Sequence, residues 1–208
     1  ATEILDRYGN VIERIYIENR TVIPLSQMPA YLPQAFVAAE DGRFFEHPGL
    51  DFWSVFRASI NNVRSGRRAQ GGSTITQQVA RALLLTPEKT YLRKFKEAIL
   101  AWRIDTLLSK DEILYIYLNQ IYLGSGAYGV EAASQVYFGK HARDLSLGEA
   151  AILAGLPQAP SRYSPYSNME AALNRQRYVL NRMAADRYVT ASEAQISYSH
   201  PVALAEKP

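Results

Sequence analysis

The sequence contains no cysteine, which excludes thiolate nucleophiles, disulfide bridges and cysteine-ligated zinc. It also lacks any apolar run near the roughly 20 residues that a membrane-spanning helix needs, and it shows no signal peptide, internal repeat or low-complexity tract. What is present is 208 residues, of which 48% are hydrophobic and 21% are charged. That balance is typical of a folded domain that buries its own core without a disulfide or a structural metal.

Charge of one sign is only slightly in excess, with a net charge of +3 and an isoelectric point near 9.0. Such an excess is typical of an ordinary solvated surface, and also of a protein with an anionic partner such as nucleic acid, phospholipid or pyrophosphate. Bulk charge does not choose among these. The chain begins at Ala1 rather than Met and ends in a tail without structural signals, so we expect a piece of a longer protein.

Turn-forming residues 6–10 lie between two stretches of strand-like alternation, which predicts a β-hairpin within 3–23. From Pro33 onward, periodicity and capping-box spacing predict a mainly α domain. The capping boxes pair Thr74 with Gln77, Ser109 with Glu112, Ser146 with Glu149, Ser167 with Glu170 and Thr190 with Glu193. The predicted helices are 33–40, 51–64, 75–85, 90–108, 110–121, 129–137, 147–155, 168–185 and 191–196, and the predicted loops include 124–126 and 157–165.

A first candidate cluster runs from Glu40 to Asp51, where six titratable side chains lie within twelve residues. Glu40 closes an apolar helix, and burial there would raise the pKa of its carboxyl towards the working range of a general base. The alternative is a solvated helix end that Gly49 terminates.

A second cluster runs from Gln70 to Arg81, where two glycines lead into a hydroxyl-rich helix start. The unpaired N–H groups of a helix's first turn can cradle an anion. Thr74 and Gln77 can equally serve only as helix caps, and the two roles are compatible. The Gly-Lys-Ser/Thr ending of a Walker loop is absent.

A third cluster, from Arg93 to Glu97, lies on a helix whose apolar side carries Trp102 and Leu107. Arg93 and Glu97 have the spacing of an ordinary helical ion pair. The functional interpretation is a second carboxylate among cations, which suits a site that meets both a sugar's developing positive charge and a phosphate's negative charge.

Between the first two clusters, the segment 52–68 combines an apolar helical stripe with a group of arginines. Such a stripe is typical of a core-facing helix, and also of a helix that lies on anionic lipid. The stripe is Phe52, Val55, Phe56, Ile60 and Val63, and the arginines are Arg57, Arg64, Arg67 and Arg68.

Taken in order, these clusters resemble the glycosyltransferase domain (family 51) of class A penicillin-binding proteins and monofunctional peptidoglycan glycosyltransferases. The resemblance covers about Pro33 to Met183. The first motif of that family reads here as Glu40, Asp41, Phe44, His47 and Gly49; the second stands intact from Gly71 to Gln78; the third is Arg93, Lys94 and Glu97; the fourth runs from Lys110 to Asn119; the fifth is Arg175, Val179 and Leu180. Arg81 stands where family members often carry Lys, which keeps the charge but changes its geometry.

The resemblance implies a lysozyme-like helical domain over 33–185, with a smaller membrane-facing lobe at 52–70. Residues 1–32 would then lead in from a membrane anchor that is absent here, and 186–208 would form a C-terminal helix and the start of a linker. It implies an enzyme at the outer face of the bacterial cytoplasmic membrane, whose partners are lipid II, the growing lipid-linked glycan strand and the anionic membrane surface. No nucleic acid is implied, and a transpeptidase domain would follow in a bifunctional parent.

The implied reaction joins lipid II to the anomeric carbon of a pyrophosphate-linked glycan with inversion, releasing undecaprenyl pyrophosphate. Glu40 would act as general base and Glu97 would assist at the oxocarbenium or the pyrophosphate. No organic cofactor is implied, and Mg²⁺ or Mn²⁺ would be the divalent ion if one bridges the pyrophosphate near Glu97. The other residues expected at the substrate are Asp41, Phe44, His47, Arg57, Ser73, Thr74, Gln77, Gln78, Arg81, Arg93 and Lys94.

Three alternatives fit parts of the sequence. A lysozyme-like hydrolase or lytic transglycosylase also uses two carboxylates, but it does not require the cations Arg57, Arg81 and Lys94. A basic helical nucleic-acid-binding domain matches the isoelectric point, although no helix gathers Lys and Arg with base-reading Asn or Gln on one face. A non-catalytic glycan- or lipid-binding relic would not need both Glu40 and Glu97.

Overall fold

The computed structural model describes residues 2–5, 7–8, 11–15, 19–51, 73–84 and 90–207. The arginine group at 57–68, the predicted 52–70 lobe and nearly all of the predicted helix 51–64 lie outside these residues.

Helices dominate the described chain, and each predicted helix that falls within it is present to within three residues at either end. A one-turn helix also occurs inside 157–165, which the sequence predicts as a loop, because Pro160 starts a turn there. The helices are α1 (Tyr31–Glu40), α2 (Ile75–Leu84), α3 (Tyr91–Leu107), α4 (Lys110–Gln120), α5 (Val130–Phe138), α6 (Leu147–Gly155), α7 (Pro160–Tyr163), α8 (Met169–Ala185) and α9 (Ala191–Ser199). Short 3₁₀ turns occupy Leu25–Gln27 and Ala142–Asp144.

Helix starts follow the predicted capping chemistry in four of five cases. Reciprocal side-chain and backbone bonds form the boxes at Ser109, Ser146 and Thr190, and Thr74 exchanges the same pair of bonds with Gln77. The prediction at Ser167 is wrong, because its hydroxyl donates to the carbonyls of Ser161 and Ser164. Asn168 caps α8 instead, accepting from the amide of Ala171 at 3.0 Å.

Two small two-stranded sheets each include a strand from the first 20 residues. β1 (Thr2–Leu5) and β2 (Val11–Ile15) pair antiparallel, with Thr2 opposite Ile15, which confirms the predicted hairpin. β3 (Asn19–Arg20) pairs in parallel with β4 (Ala127–Tyr128), a contact between distant segments that local sequence pattern does not predict.

The segment after β3 is fastened to α4 by a side-chain amide. Asn119 accepts from the N–H of Ile23 and donates to its carbonyl, each at 3.0 Å, so it pairs with Ile23 as a neighbouring strand would. It also donates to the carbonyl of Tyr115 at 2.9 Å. Asn119, in the fourth motif, therefore has a structural role.

The core forms where α1 packs against α6 and α8, while α2 packs against α3 and α4. Phe36 of α1 is fully buried, and every residue of α6 after Leu147 is buried because its small residues admit neighbouring helices closely. Met28 and Ala194 join this same cluster from outside the predicted 33–185 domain, whose boundaries stay a prediction. This packing brings the C-terminal end of α1 to the start of α2. Among the described helices, none combines the length and apolar character needed to cross a bilayer.

Candidate active site

Glu40 is the last residue of α1, and its side chain is mostly removed from solvent. Its Oε2 accepts a 3.0 Å hydrogen bond from the side-chain amide of Gln78 on α2. Its Oε1 lies 3.8 Å from Nη2 of Arg175 on α8. Three helices therefore meet at this one carboxyl group.

Burial raises the pKa of the Glu40 carboxyl above its ordinary value, because desolvation disfavours the charged form. The hydrogen bond from Gln78 and the charge of Arg175 lower the pKa and offset part of this rise. Asp41 adds a smaller rise and Arg81 a smaller fall. Glu40 thus has the character that a general base requires, an ionisable carboxyl whose proton affinity is increased by its surroundings.

Asp41 connects the first motif to the start of α2. Its Oδ2 accepts from the N–H of Ile75, the first residue of that helix, at 3.0 Å, and its Oδ1 lies 2.9 Å from Nε2 of His47. All three residues are buried. A buried carboxylate at a helix N-terminus satisfies an otherwise unpaired donor and is stabilised by the helix dipole.

The backbone at Gly49 fits a space that only glycine can occupy. Its φ is +78°, and a Cβ at this position would lie 2.6 Å from the carbonyl oxygen of Ala101 on α3. Its own carbonyl accepts a 2.7 Å bond from the hydroxyl of Thr74. Gly49 therefore lets the backbone of the first motif pack closely against both the start of α2 and α3.

Lys110, at the start of α4, binds the first motif through its ammonium group. Its ammonium donates to the carbonyl of His47 at 2.7 Å and to Asp105 at 2.6 Å, and it lies 4.7 Å from the centre of the Phe44 ring. Thr76 donates to the same Asp105 carboxylate at 3.1 Å. A single partly buried cluster thus joins motifs one, two and four.

Glu97 is fully buried, although it lies on a helix whose large apolar side chains face outward. Its Oε2 accepts from Arg93 at 3.1 Å, and its Oε1 accepts from Lys94. Trp102 and Leu107, on the apolar side of this helix, are instead largely exposed. The helix is reversed relative to an ordinary amphipathic helix, with its acid inside and its aromatics outside.

Lys94 joins the third motif to the second. Its ammonium, bonded to Glu97, also donates to the hydroxyl of Ser73 at 2.9 Å. Ser73 stands just before α2, and Gln78, the partner of Glu40, stands in that helix. The two carboxylates are therefore connected through neighbouring positions of one helix start, with Arg93 and Lys94 at the Glu97 side.

The predicted substrate residues differ in their exposure to solvent. Arg81 is exposed on α2 and close enough to affect the charge of Glu40. Arg57 lies outside the described residues. Substrate contact stays a prediction for the remaining residues, several of which are buried and bonded to one another. The buried ones are Asp41, Phe44, His47, Thr74 and Gln77.

Two neighbours of Glu40 are missing from the sequence-based site. The sequence motifs contain Arg175 only as part of the fifth and Tyr117 only as part of the fourth. Tyr117 is fully buried, and among the described residues its hydroxyl has no hydrogen-bond partner. Burial, together with the charges of Glu40 and Asp41, raises the pKa of Tyr117 well above its ordinary value. Neither neighbour could be found from spacing, since both are far from Glu40 in the sequence.

Potential metal ligands come together in the described chain at Asp41, His47 and Asp51, whose ligand atoms lie within 4.8 Å of one another. Each of the three side chains already has a partner within the protein, because Asp41 is bonded to Nε2 of His47 and Asp51 accepts from Arg43 at 3.3 Å, although Nδ1 of His47 has no partner among the described residues. The three side chains therefore belong to the hydrogen-bonded network of the segment that follows Glu40.

Comparison with known proteins places this geometry in a family. The family described as "Transglycosylase" matches residues 8–184. The chain is 48% identical over 204 residues to penicillin-binding protein 1A of Aquifex aeolicus, which covers 98% of this chain and 28% of that protein. It is 49% identical over 188 residues to penicillin-binding protein 1A of Escherichia coli K12, covering 90% of this chain and 22% of that protein.

Among solved structures, the crystal structure of penicillin-binding protein 1A from Haemophilus influenzae aligns with 98% of this chain and 21% of that chain, with a TM-score of 0.59 and 26% sequence identity. The predicted mainly α, lysozyme-like fold is confirmed. The chain spans less than a third of the length of the curated relatives it matches. With most of its length matched, this chain belongs to the transglycosylase family.

Proposed function

We propose that this domain is a peptidoglycan glycosyltransferase that polymerises lipid II. The 4-hydroxyl oxygen of the acceptor's GlcNAc would bond to the anomeric carbon of the lipid-linked glycan chain, with inversion. The bond from that carbon to pyrophosphate would break, and undecaprenyl pyrophosphate would leave with the electron pair. The acceptor's hydroxyl proton would pass to Glu40. Membership of the transglycosylase family supports this reaction class.

The observation that carries the proposal is the environment of Glu40. Its carboxyl is desolvated at the end of α1, yet Gln78 and Arg175 each approach one of its oxygens. Desolvation increases its affinity for a proton, while the two partners hold the group in place and favour the charged form that accepts the proton.

The cations beside Glu97 suit the leaving group. Pyrophosphate departs without needing a protonated acid, provided that positive charge meets the charge it develops. Lys94 is partly exposed and held between Ser73 and Glu97, so its ammonium is positioned before substrate arrives. Arg93 and the exposed Arg81 add further charge. A lysozyme-like hydrolase would not require these cations.

We propose that Glu97 acts by ordering these cations. Both of its oxygens are engaged, one by Arg93 and one by Lys94, so a divalent ion fits poorly beside them. A metal at this carboxylate would be repelled by two neighbouring positive charges. The described residues therefore fit an anion-binding site here better than a metal site.

The outward side of α3 supports a membrane surface as partner. Five large apolar side chains fall within an arc of about 100° around the helix, and their exposed fractions run from 41% to 97%. Apolar and aromatic side chains next to basic residues are typical of helices that lie on anionic lipid. We propose that this face contacts the outer leaflet of the cytoplasmic membrane, where a lipid-carried substrate is presented. The five are Tyr91, Leu92, Phe95, Ile99 and Trp102.

The decisive experiment supplies the purified chain with lipid II and, separately, with preformed peptidoglycan. We expect glycan strands from lipid II and no cleavage of the polymer. Glu40→Gln should lower the polymerisation rate by about 10²–10⁴-fold, the usual contribution of a general base. Glu46→Gln, which changes an exposed carboxylate of the same motif, is the matched control and should keep the wild-type rate. Cleavage of polymer without polymerisation of lipid II would replace the proposal with the hydrolase alternative.

A further inference from the structure

Arg175 approaches the candidate base from α8, a helix that the sequence-based site does not include. The distance from its Nη2 to Oε1 of Glu40 is 3.8 Å, and the two side chains are only 12% and 13% exposed. At this depth the attraction between opposite charges is screened much less than at the surface. The contact therefore favours the charged form of Glu40 and lowers the pKa of its carboxyl, after the hydrogen bond from Gln78.

Three neighbours fix the position of the Arg175 side chain. Its guanidinium lies 4.3 Å from the centre of the Tyr178 ring and 5.7 Å from that of Tyr163. A Cβ on Gly155 would lie 2.7 Å from Cγ of Arg175, so the glycine provides the space through which the side chain passes. Stacking on two rings orients a guanidinium without neutralising it.

The position of Arg175 lowers the stability of the folded protein. Its Nε is buried, and among the described residues no acceptor bonds to it. A desolvated donor without a partner destabilises a protein. A residue serving only to join α8 to α1 would be more stable as a fully paired or apolar side chain.

We propose that Arg175 is a positioning residue for the transfer reaction, holding the Glu40 carboxylate in the orientation and charge state that accept the acceptor's proton. The inference rests on the proposed function of Glu40 as general base. Tyr178, Tyr163 and Gly155 act through Arg175, and the fifth motif thereby gains a role in the chemistry.

The charges facing Glu40 determine the expected pH effect. Gln78 and Arg81 lie on α2, Asp41 follows Glu40 itself, and the buried Tyr117 faces it from α4. Without Arg175, the exposed Arg81 would be the one remaining cation known to lower the pKa of Glu40 within the described residues. The pKa of Glu40 should then rise further, so that less of the base is ionised at a given pH.

The test is the pH dependence of kcat/KM for lipid II polymerisation by the whole chain. In Arg175→Met the acidic limb should move upward by about one pH unit, the smaller end of the effect of an opposite charge at this distance. The rate should fall about tenfold below the limb and recover towards wild type at high pH. Arg175→Lys should restore part of the shift. Arg177→Met is the matched control, since Arg177 also lies on α8 and stacks on a ring, that of Tyr198 at 4.1 Å.

A second pair of variants tests the role of the rings without removing the charge. Tyr178→Ala should move the limb in the same direction by less, and Tyr178→Phe, which keeps the ring face, by less still. NMR titration of the Glu40 carboxyl, identified by its loss in Glu40→Gln, gives a readout independent of turnover. An unchanged limb and an unchanged Glu40 titration in Arg175→Met would overturn the inference, as would an equal loss of rate at every pH. Failure of the wild-type chain to polymerise lipid II would instead refute the proposed function.

Discussion

At the scale of single residues, Glu40 combines a functional environment with a cost to stability. Because burial raises the pKa of its carboxyl in the folded state, the unfolded chain loses this proton at lower pH. The free energy of unfolding therefore falls as pH rises from the unfolded pKa through the folded one, and stays lower above it. We expect Glu40→Gln to be at least as stable as wild type at neutral pH and to lose this pH dependence. Urea denaturation at pH 4 and pH 8 measures both, and a variant less stable at pH 8 would contradict the expectation.

Lys94 provides a second prediction at this scale. Its ammonium is held by Ser73 and Glu97 and reaches the surface, so Lys94→Met should slow donor turnover by about 10²-fold, as for loss of one positioned charge-stabilising donor. The fold should persist, because the residue is half exposed. Steady-state turnover of lipid II and circular dichroism measure the two effects. Arg143→Met, at a cation on the exposed surface, should change neither.

At the scale of elements, Gly49 allows a comparison between two glycines with positive φ. Gly49→Ala should destabilise the protein by about 2 kcal/mol or more, since the added Cβ would overlap the backbone of α3. Gly126→Ala meets nothing within 4 Å and should cost only about 1 kcal/mol, for the left-handed backbone alone. Chemical denaturation of both variants separates steric overlap from backbone strain. Equal losses would show that Ala101 yields without cost.

Local sequence signals predict some helices and strands and miss others, and the physical reason is clear in each case. Capping boxes predict helix starts because donor and acceptor lie three residues apart, and the failure at Ser167 arose where a turn competed for its hydroxyl. The parallel pairing of Asn19 with Ala127 depends on tertiary packing and has no local signal. Periodicity predicts an apolar side of α3 with Trp102 and Leu107, but it cannot tell an outward face from a buried one, and both side chains are exposed. The contact of Arg175 with Glu40 could not be predicted for the same reason as the pairing of β3, since the two partners are distant in sequence.

At the scale of the whole molecule, the outward face of α3 makes the proposed membrane contact testable. Phe95→Ser combined with Trp102→Ser should weaken binding to vesicles containing anionic lipid by about tenfold or more, because both aromatic side chains would lose burial in the interface. Vesicle co-sedimentation measures this. Ile196→Ser, which changes an exposed apolar residue on α9, is the control. Unchanged binding in the double variant would assign membrane contact to another part of the chain.

The amide clamp between Asn119 and Ile23 has a mechanical consequence. Tension applied to the chain ahead of residue 23 reaches α4 through two bonds that act side by side. At the opposite end of α4, Lys110 holds the backbone of His47. A pull on the N-terminal segment would therefore load α4, whose first residue is bonded to the loop that follows Glu40.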